Sequence, residues 1–175
     1  MNNKQRGITL VEACVGLAVA AIISTGAAPS MRQLLDARRF DGIASQLASD
    51  LQFTRLSAVA RNQRIRFSLQ TDAAGSCYVI HTGSAGACRC GASGPTVCDA
   101  GASEVRTVRL PASERVQVQA NVGSILFDPV HGTSTPAGTV RVIGGNGREL
   151  RHVVNVMGRV RTCSPQGNLG GYRAC

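Results

Sequence analysis

The chain has 175 residues, which is enough for one domain. Aromatic residues make up only 3% of it and tryptophan is absent, which excludes an aromatic core and leaves Val, Ile, Leu and Ala to form one. The formal net charge is +9, and all but one of the 19 basic residues are arginine. Because arginine matches phosphate and carboxylate groups well, this balance indicates a polyanionic partner, although a GC-rich genome would produce the same bias.

An apolar segment, residues 8–28, follows a short basic leader and carries Glu12 as its one charge. As a helix this segment is ~31 Å long, which is enough to cross the hydrocarbon core of a bilayer. A secretory signal has its small-residue cleavage site after the apolar stretch, whereas here Gly7 precedes it. Cleavage after Gly7 would remove the leader, residues 1–7, and leave the apolar helix on the mature protein.

Glu12 is expected to be functional, because a carboxylate inside a membrane-spanning helix costs a few kcal/mol. After cleavage at Gly7 its natural partner is the new α-amino group, on its own or a neighbouring subunit. The alternative is a plain membrane anchor, with Glu12 near the lipid headgroups.

The basic leader, Gly7, the apolar run and Glu12 together resemble the class III leader of type IV pilins and type II secretion pseudopilins. The resemblance implies that a prepilin peptidase cleaves between Gly7 and Ile8 and methylates the new N-terminal residue. It also implies that Glu12 docks the subunit into the filament. The family usually has Phe at the first mature position, and Ile8 departs from that pattern.

Residues 29–61 are predicted to continue the helix as an amphipathic segment. Apolar side chains and one threonine recur mostly at steps of three and four residues, which is typical of a helix with one buried face. They are Leu35, Phe40, Ile43, Leu47, Leu51, Thr54 and Ala58. The charged residues are expected mostly off this face: Arg32, Asp36, Arg39, Asp50 and Arg61. Two helices hinged at Pro29 are the alternative.

From residue 64 onwards the period changes to two, which is typical of strands. Short β-branched segments separated by turn residues are predicted at 64–69, 77–81, 105–110, 116–120, 124–127, 139–143 and 150–156. Residues 83–103 are predicted to form a long irregular loop. A helix followed by six or seven antiparallel strands predicts an α+β fold, with residues 62–175 as a β-rich globular head.

Seven cysteines are present, and Cys14 lies inside the apolar segment, where it is expected to stay unpaired. The other six are predicted to form disulfides in an oxidising compartment: Cys77, Cys88, Cys90, Cys98, Cys163 and Cys175. Our hypothesis is that Cys163 bonds to Cys175 and that the other four, within residues 77–98, bond to one another. The sequence does not choose among the possible pairings. The alternative is a metal site of Cys88, Cys90 and Cys98, which lacks the paired spacing of structural zinc sites.

The second half of the chain resembles the GspH/FimT branch of pilin-like proteins. Residues 127–132, Phe-Asp-Pro-Val-His-Gly, and residues 138–142 resemble its strand–turn–strand, and residues 153–161 resemble its closing strand. This resemblance implies the type IV pilin fold, in which a long N-terminal helix packs on an antiparallel β-sheet head. Residues 83–103 are outside the resemblance.

Residues 158–161, Gly-Arg-Val-Arg, match a Gly-Arg-x-Arg motif that is associated with DNA binding during natural transformation in FimT minor pilins. In an extended chain, residues two apart lie ~7 Å from each other on one side, so both guanidinium groups can meet neighbouring phosphates. Glycine permits close approach of the backbone or positive φ. The predicted DNA-binding set is Gly158, Arg159, Arg161, Arg151, Arg148 and Arg173, with Tyr172 as a stacking platform. The alternative is that these arginines are solvated or pair with acids on a neighbouring pilin.

The hypothesis is a minor pilin of a type IV pilus, held in the inner membrane with a periplasmic head and then displayed at the pilus tip. It would bind double-stranded DNA non-specifically through a flexible basic C-terminal region, and its protein partners would be other pilins and the prepilin peptidase. A second basic group is expected to lie on a solvated face: Arg55, Arg61, Arg64 and Arg66. The alternative is a structural minor pilin or pseudopilin that primes assembly of a pilus or type II secretion pseudopilus without binding DNA. No cofactor, metal site or catalytic arrangement is predicted, so an enzyme is not expected.

Overall fold

The computed structural model describes residues 9–91 and 94–175, without the side chains of residues 24–30 and 146. The predicted leader and the Gly7–Ile8 processing site lie outside the described residues. Two compact units divide the chain, the first ending at Arg39 and the second spanning Phe40–Cys175. Helix α1, Leu10–Ala60, belongs to both units and continues through position 29 as a single element.

The first turn of α1 is capped. Thr9 precedes the helix, and its Oγ1 accepts a hydrogen bond from the backbone N–H of Glu12 at 3.3 Å. Thr-x-x-Glu is the spacing of a capping box, and an acidic side chain in the first turn also complements the helix dipole. Within the described ranges, no helix combines the length and the apolar composition needed to cross a membrane.

In the second unit α1 buries one face against the head. Phe40, Ala44, Leu47, Leu51 and Ala58 are each at most 1% exposed, and their spacing of three, four and seven residues places them on one side of a helix. The predicted apolar face is therefore confirmed within this unit.

Two residues depart from the predicted face. Leu35, which the pattern included, lies in the first unit and is 61% exposed. The expectation that Asp50 lies off the buried face is wrong, because Asp50 is 1% exposed. Its carboxylate accepts a hydrogen bond from the Tyr78 hydroxyl at 2.7 Å and forms an ion pair with Arg106. A buried charge needs such partners, and burial together with the Asp50 contact raises the pKa of Tyr78.

The head is antiparallel, as predicted. Its strands, in the part of the chain that the structure describes, are β1 Ile65–Asp72, β2 Gly75–His81, β3 Cys88–Arg89, β4 Val97–Cys98, β5 Glu104–Pro111, β6 Gln117–Ala120, β7 Ser124–Phe127, β8 Ser134–Thr135, β9 Gly138–Ile143, β10 Glu149–Val154 and β11 Val160–Cys163. A five-stranded sheet has the order β5-β2-β1-β7-β8, and a four-stranded sheet has the order β11-β10-β9-β6. Both sheets contribute to the core that contains the buried face of α1.

The end of β10 differs from the prediction. The segment predicted as one strand to residue 156, and the closing pattern to residue 161, are divided by a turn at residues 155–158, after which β11 pairs back onto β10. The backbone N–H of Gly158 donates to the carbonyl of Asn155 at 2.8 Å, which closes this turn. The final arginines therefore begin a returning strand rather than extend β10.

The cysteine pairings agree with the sequence hypothesis. The bonds join Cys163 to Cys175, Cys77 to Cys90, and Cys88 to Cys98. All three cysteines of the alternative metal site are therefore disulfide-bonded. The loop predicted at 83–103 contains the short β3–β4 pair and is fastened to the outer face of the five-stranded sheet by the Cys77–Cys90 bond. Gln70 adds two hydrogen bonds, one to the carbonyl of Cys88 and one from the N–H of Cys90.

Candidate nucleic-acid interface

The outer face of the four-stranded sheet carries a line of arginines. Along β9 and β10 the even-numbered residues are buried, so the odd-numbered residues face outward. Arg151 lies opposite Arg141 on one neighbouring strand and opposite Cys163 on the other. Arg161 lies opposite Val153, which makes it a diagonal neighbour of Arg151 at ~7–8 Å. The sheet thus brings Arg141, Arg151 and Arg161 to one surface.

Glu149 partly neutralises two of these arginines. Its carboxylate accepts two hydrogen bonds from Arg141, at 2.8 and 3.0 Å, and one from Nε of Arg151 at 2.8 Å. These contacts lower the pKa of Glu149 to about 2 and raise the pKa of Arg141. Like charges directly opposite each other on paired strands repel, so the carboxylate stabilises the sheet here. It also occupies guanidinium donors that would otherwise be free for an anion.

The β10–β11 turn is fixed by contacts with α1 and with the loop before β8. The φ angle of Gly158 is +70°, and a Cβ at this position would lie 2.1 Å from the carbonyl oxygen of Gly132. Nε of Arg55 donates a hydrogen bond to that same oxygen at 2.9 Å. Oδ1 of Asn155 accepts from the N–H of Arg159 at 3.0 Å. Gly158 is therefore a buried positioning residue, because a side chain there would displace the turn.

Arg159 and Arg161 are the exposed pair of this surface. Val160 between them is half-buried and packs against the core, which directs both arginines to solvent. Within residues 9–91 and 94–175, neither guanidinium group forms an ion pair or a hydrogen bond. In this they differ from Arg141 and Arg151, whose charges Glu149 shares.

The remaining members of the predicted set lie toward the other end of the β10–β11 hairpin. Arg148 immediately precedes β10, and the carbonyl of Arg173 accepts a hydrogen bond from the N–H of Ser164 at 2.8 Å, just after β11. The C-terminal region was expected to be flexible, but this bond and the Cys163–Cys175 disulfide tie it to the sheet. Tyr172 packs against the core, which leaves less of its ring for stacking than the sequence predicts.

The second basic group divides into two kinds of residue. Arg61 and Arg64 are exposed, as expected for a solvated face. Arg55 and Arg66 are half-buried instead, and Arg66 donates to the hydroxyl of Ser124 at 2.9 Å. The hydrogen bond from Arg55 to the Gly132 carbonyl could not be predicted from the sequence, since 77 residues separate the two and no local pattern links them.

His152 lies beneath the arginine surface and makes stability depend on pH. It is fully buried; its Nδ1 lies 2.9 Å from the hydroxyl of Thr162, while among the described residues Nε2 has no hydrogen-bond partner. Burial lowers the pKa of His152 to about 4. Between its ordinary pKa near 6.5 and about 4, only the unfolded chain binds the proton, so stability falls as pH falls through this window.

We expect a loss of up to about 3 kcal/mol in the free energy of unfolding between pH 7.5 and pH 4 from this residue. Urea unfolding followed by tyrosine fluorescence measures it, since tryptophan is absent and Tyr78 is buried. His152→Gln should flatten the pH dependence, although not fully, because burial also lowers the pKa of His81. The exposed His131→Gln is the control for the loss of one histidine. Equal pH dependence in His152→Gln and the unaltered chain would contradict the assignment.

An N-terminal helix whose second half packs on an antiparallel β-sheet head defines a pilin-like protein. The chain matches the family described as type II transport protein GspH over residues 44–158, more than half of its length. It therefore belongs to the GspH family, and the predicted relationship to GspH/FimT minor pilins and pseudopilins is confirmed.

The fold is similar to that of the type IV minor pilin FimU of Pseudomonas aeruginosa strain PAO1. One FimU crystal form shares 21% identity and has a TM-score of 0.50, over 70% of this chain and 86% of FimU. A second FimU crystal form shares 19% identity and has a TM-score of 0.49, over 70% of this chain and 90% of FimU. The minor pseudopilin EpsH of the Vibrio cholerae type 2 secretion system shares 12% identity and has a TM-score of 0.47, over 71% of this chain and 96% of EpsH. Among curated proteins none matches.

Proposed function

We propose that the chain is a minor pilin of a type IV pilus whose head binds double-stranded DNA non-specifically for uptake in natural transformation. The observation that carries this proposal is the exposed pair Arg159 and Arg161, which follows a fixed turn and has no acidic partner among the described residues. Duplex DNA carries one negative charge per ~1.7 Å of its axis, so two cations at ~7 Å meet phosphates in many registers. Binding then depends on charge and not on base sequence.

The other arginines of the predicted set, together with Arg141, add positive charge to the same surface, but in different amounts. Arg151 and Arg141 lie beside the exposed pair but share the charge of Glu149. Arg148 and Arg173 extend positive charge toward the other end of the hairpin. A duplex bound at this surface would therefore be held most strongly at the β10–β11 turn.

Assembly follows the pilin route in this proposal. A prepilin peptidase cleaves between Gly7 and Ile8 and methylates Ile8, and residues 8–28 hold the subunit in the inner membrane before it joins other pilins in the filament. Glu12 guides docking; it lies in the capped first turn of α1 and would be the fifth residue of the cleaved chain. The head is then displayed at the pilus tip, where it acts by binding and not by catalysis.

A second candidate function is a structural minor pilin or pseudopilin that primes assembly of a pilus or a type II secretion pseudopilus without binding DNA. The family match favours it, because the matched family is described as a type II transport protein. In that case Arg159 and Arg161 would pair with acidic side chains of a neighbouring subunit.

Salt-dependent DNA binding tests the proposal. The full chain, with its disulfides formed, is titrated in non-ionic detergent into a dye-labelled duplex at several salt concentrations. We expect the affinity to fall as salt rises. A plot of log affinity against log salt concentration should have a negative slope of magnitude about 2 or more, since each phosphate contact contributes about −0.9. Two duplexes of one base composition in scrambled order should bind equally. Absence of binding at low salt would reject DNA binding and leave the structural candidate.

A further inference from the structure

The β10–β11 turn exposes two consecutive large apolar side chains. Val156 is 62% exposed and Met157 is 59% exposed, at the tip of the turn at residues 155–158. They directly precede Gly158, Arg159 and the start of β11. Binding to phosphate accounts for the exposure of the arginines. It does not account for the exposure of Val156 and Met157, because their apolar side chains form no ion pair or hydrogen bond with phosphate.

The tip is held rigidly, so its exposure is a fixed property of the surface. The buried Gly158 packs against the Gly132 carbonyl oxygen, and Asn155 accepts a hydrogen bond from the Arg159 N–H. Because the base of the turn is packed in this way, only its two-residue tip stands clear of the head. Because its backbone is already fixed, the turn loses little backbone entropy when its tip is inserted into a partner.

The surroundings of the tip favour a polyanion over an apolar protein surface. Arg159 and Arg161 flank it without acidic partners in the described part of the chain. An apolar tip with cationic flanks matches a DNA groove, where apolar side chains meet base edges between two rows of phosphates.

The size of the tip selects the groove. The major groove, ~12 Å wide, admits a whole helix or a two-stranded ribbon, but here the hairpin below the tip is packed against α1 and the Gly132 loop. The minor groove is ~6 Å wide, and apolar wedges that include Met enter it between base steps. A two-residue tip fits this second mode.

We propose that Val156 and Met157 enter the minor groove of duplex DNA as a wedge, while Arg159 and Arg161 hold the phosphates beside it. This inference rests on the proposed function, since it concerns the same DNA-binding surface. The wedge adds affinity without adding phosphate contacts, and it bends the duplex toward the major groove.

The test compares Val156→Ser/Met157→Ser with the unaltered full chain in the same duplex titration. We expect about a tenfold loss of affinity at fixed salt with an unchanged salt slope, because apolar burial is lost and phosphate contacts are kept. Energy transfer between dyes at the two duplex ends should show bending by the unaltered chain and less by the variant. Val97→Ser is the matched control, since Val97 is 63% exposed on β4, and should change neither readout.

The outcomes separate this inference from the proposed function. If the tip variant binds and bends DNA like the unaltered chain while Arg159→Gln/Arg161→Gln binds more weakly, the wedge is overturned and DNA binding stands. If the tip variant retains DNA binding but cross-links poorly to neighbouring pilins, the tip is a pilin contact and the wedge is likewise overturned. If the unaltered chain does not bind duplex at low salt, both proposals fail. Competition by a minor-groove ligand and not by a major-groove ligand would support the wedge.

Discussion

Replacing Arg159 and Arg161 with glutamine should weaken duplex binding about 10–100-fold near 50 mM salt and reduce the magnitude of the salt slope by about two. Both guanidinium groups are exposed and have no ion-pair partner in the described residues, so their removal leaves no buried charge behind. The fold should be unaffected, since Val160 between them keeps its contact with the core. Fluorescence anisotropy of a labelled duplex, measured over a range of salt, gives both quantities.

The matched control removes the same charge elsewhere. Arg89 is exposed on β3 of the cysteine loop, and Arg109 is exposed on β5, an edge strand of the five-stranded sheet. Arg89→Gln/Arg109→Gln carries an identical change in net charge. It should reduce affinity only slightly and leave the slope within about half a unit of the unaltered value. Equal losses in the two double variants would mean that the chain binds DNA by generic charge and that the turn has no special role.

Replacing Gly158 with alanine should lower the free energy of unfolding by about 2–4 kcal/mol. The left-handed backbone, with φ +70°, accounts for part of the loss. The larger part comes from the new Cβ, which would lie 2.1 Å from the backbone oxygen of Gly132 and 2.9 Å from Nε of Arg55. Urea unfolding of the full chain in detergent, followed by tyrosine fluorescence, measures the change.

Gly147→Ala separates the two contributions to that loss. Gly147 has nearly the same φ, +71°, but nothing lies within 4 Å of a Cβ built there. It should therefore show only the backbone penalty, about 1–2 kcal/mol. If the two alanine variants lose the same stability, the packing of Gly158 against the Gly132 carbonyl is not what fixes the turn.

Periodic features of this fold can be read from the sequence. The face of α1 from Phe40 to Ala58 follows the helical repeat, and the alternation in β1, β9 and β10 follows the pleat. The pairing of Cys163 with Cys175 is a local loop closure, which spacing favours. Each of these depends on residues close together in the chain, where a single segment carries the whole signal.

Contacts between distant segments could not be read in the same way. Asp50 is buried because Tyr78 and Arg106 satisfy its carboxylate, from positions 28 and 56 residues away. A sequence period treats such an acid as surface, since its partners do not enter the pattern. Arg55 likewise looks like a solvated charge until the Gly132 carbonyl, 77 residues away, is placed beside it.

The candidate site shows both cases within one hairpin. The Gly-Arg-Val-Arg pattern predicts two arginines on one side, and both are exposed. The pattern does not show that Glu149 would occupy Arg141 and Arg151, because that contact depends on the register of β9 against β10. Strand register is a tertiary property. Which arginines keep free hydrogen-bond donors therefore follows from the fold and not from the local sequence.

Hydrogen exchange of the full chain with and without a saturating duplex at low salt tests most directly whether the β10–β11 turn is the DNA interface. We expect the amides of residues 155–161 to exchange more slowly when duplex is present, while those of β3 and β4, on the cysteine loop, are unchanged. Slower exchange confined to another surface, or no change at residues 155–161 while the duplex is bound, would contradict it.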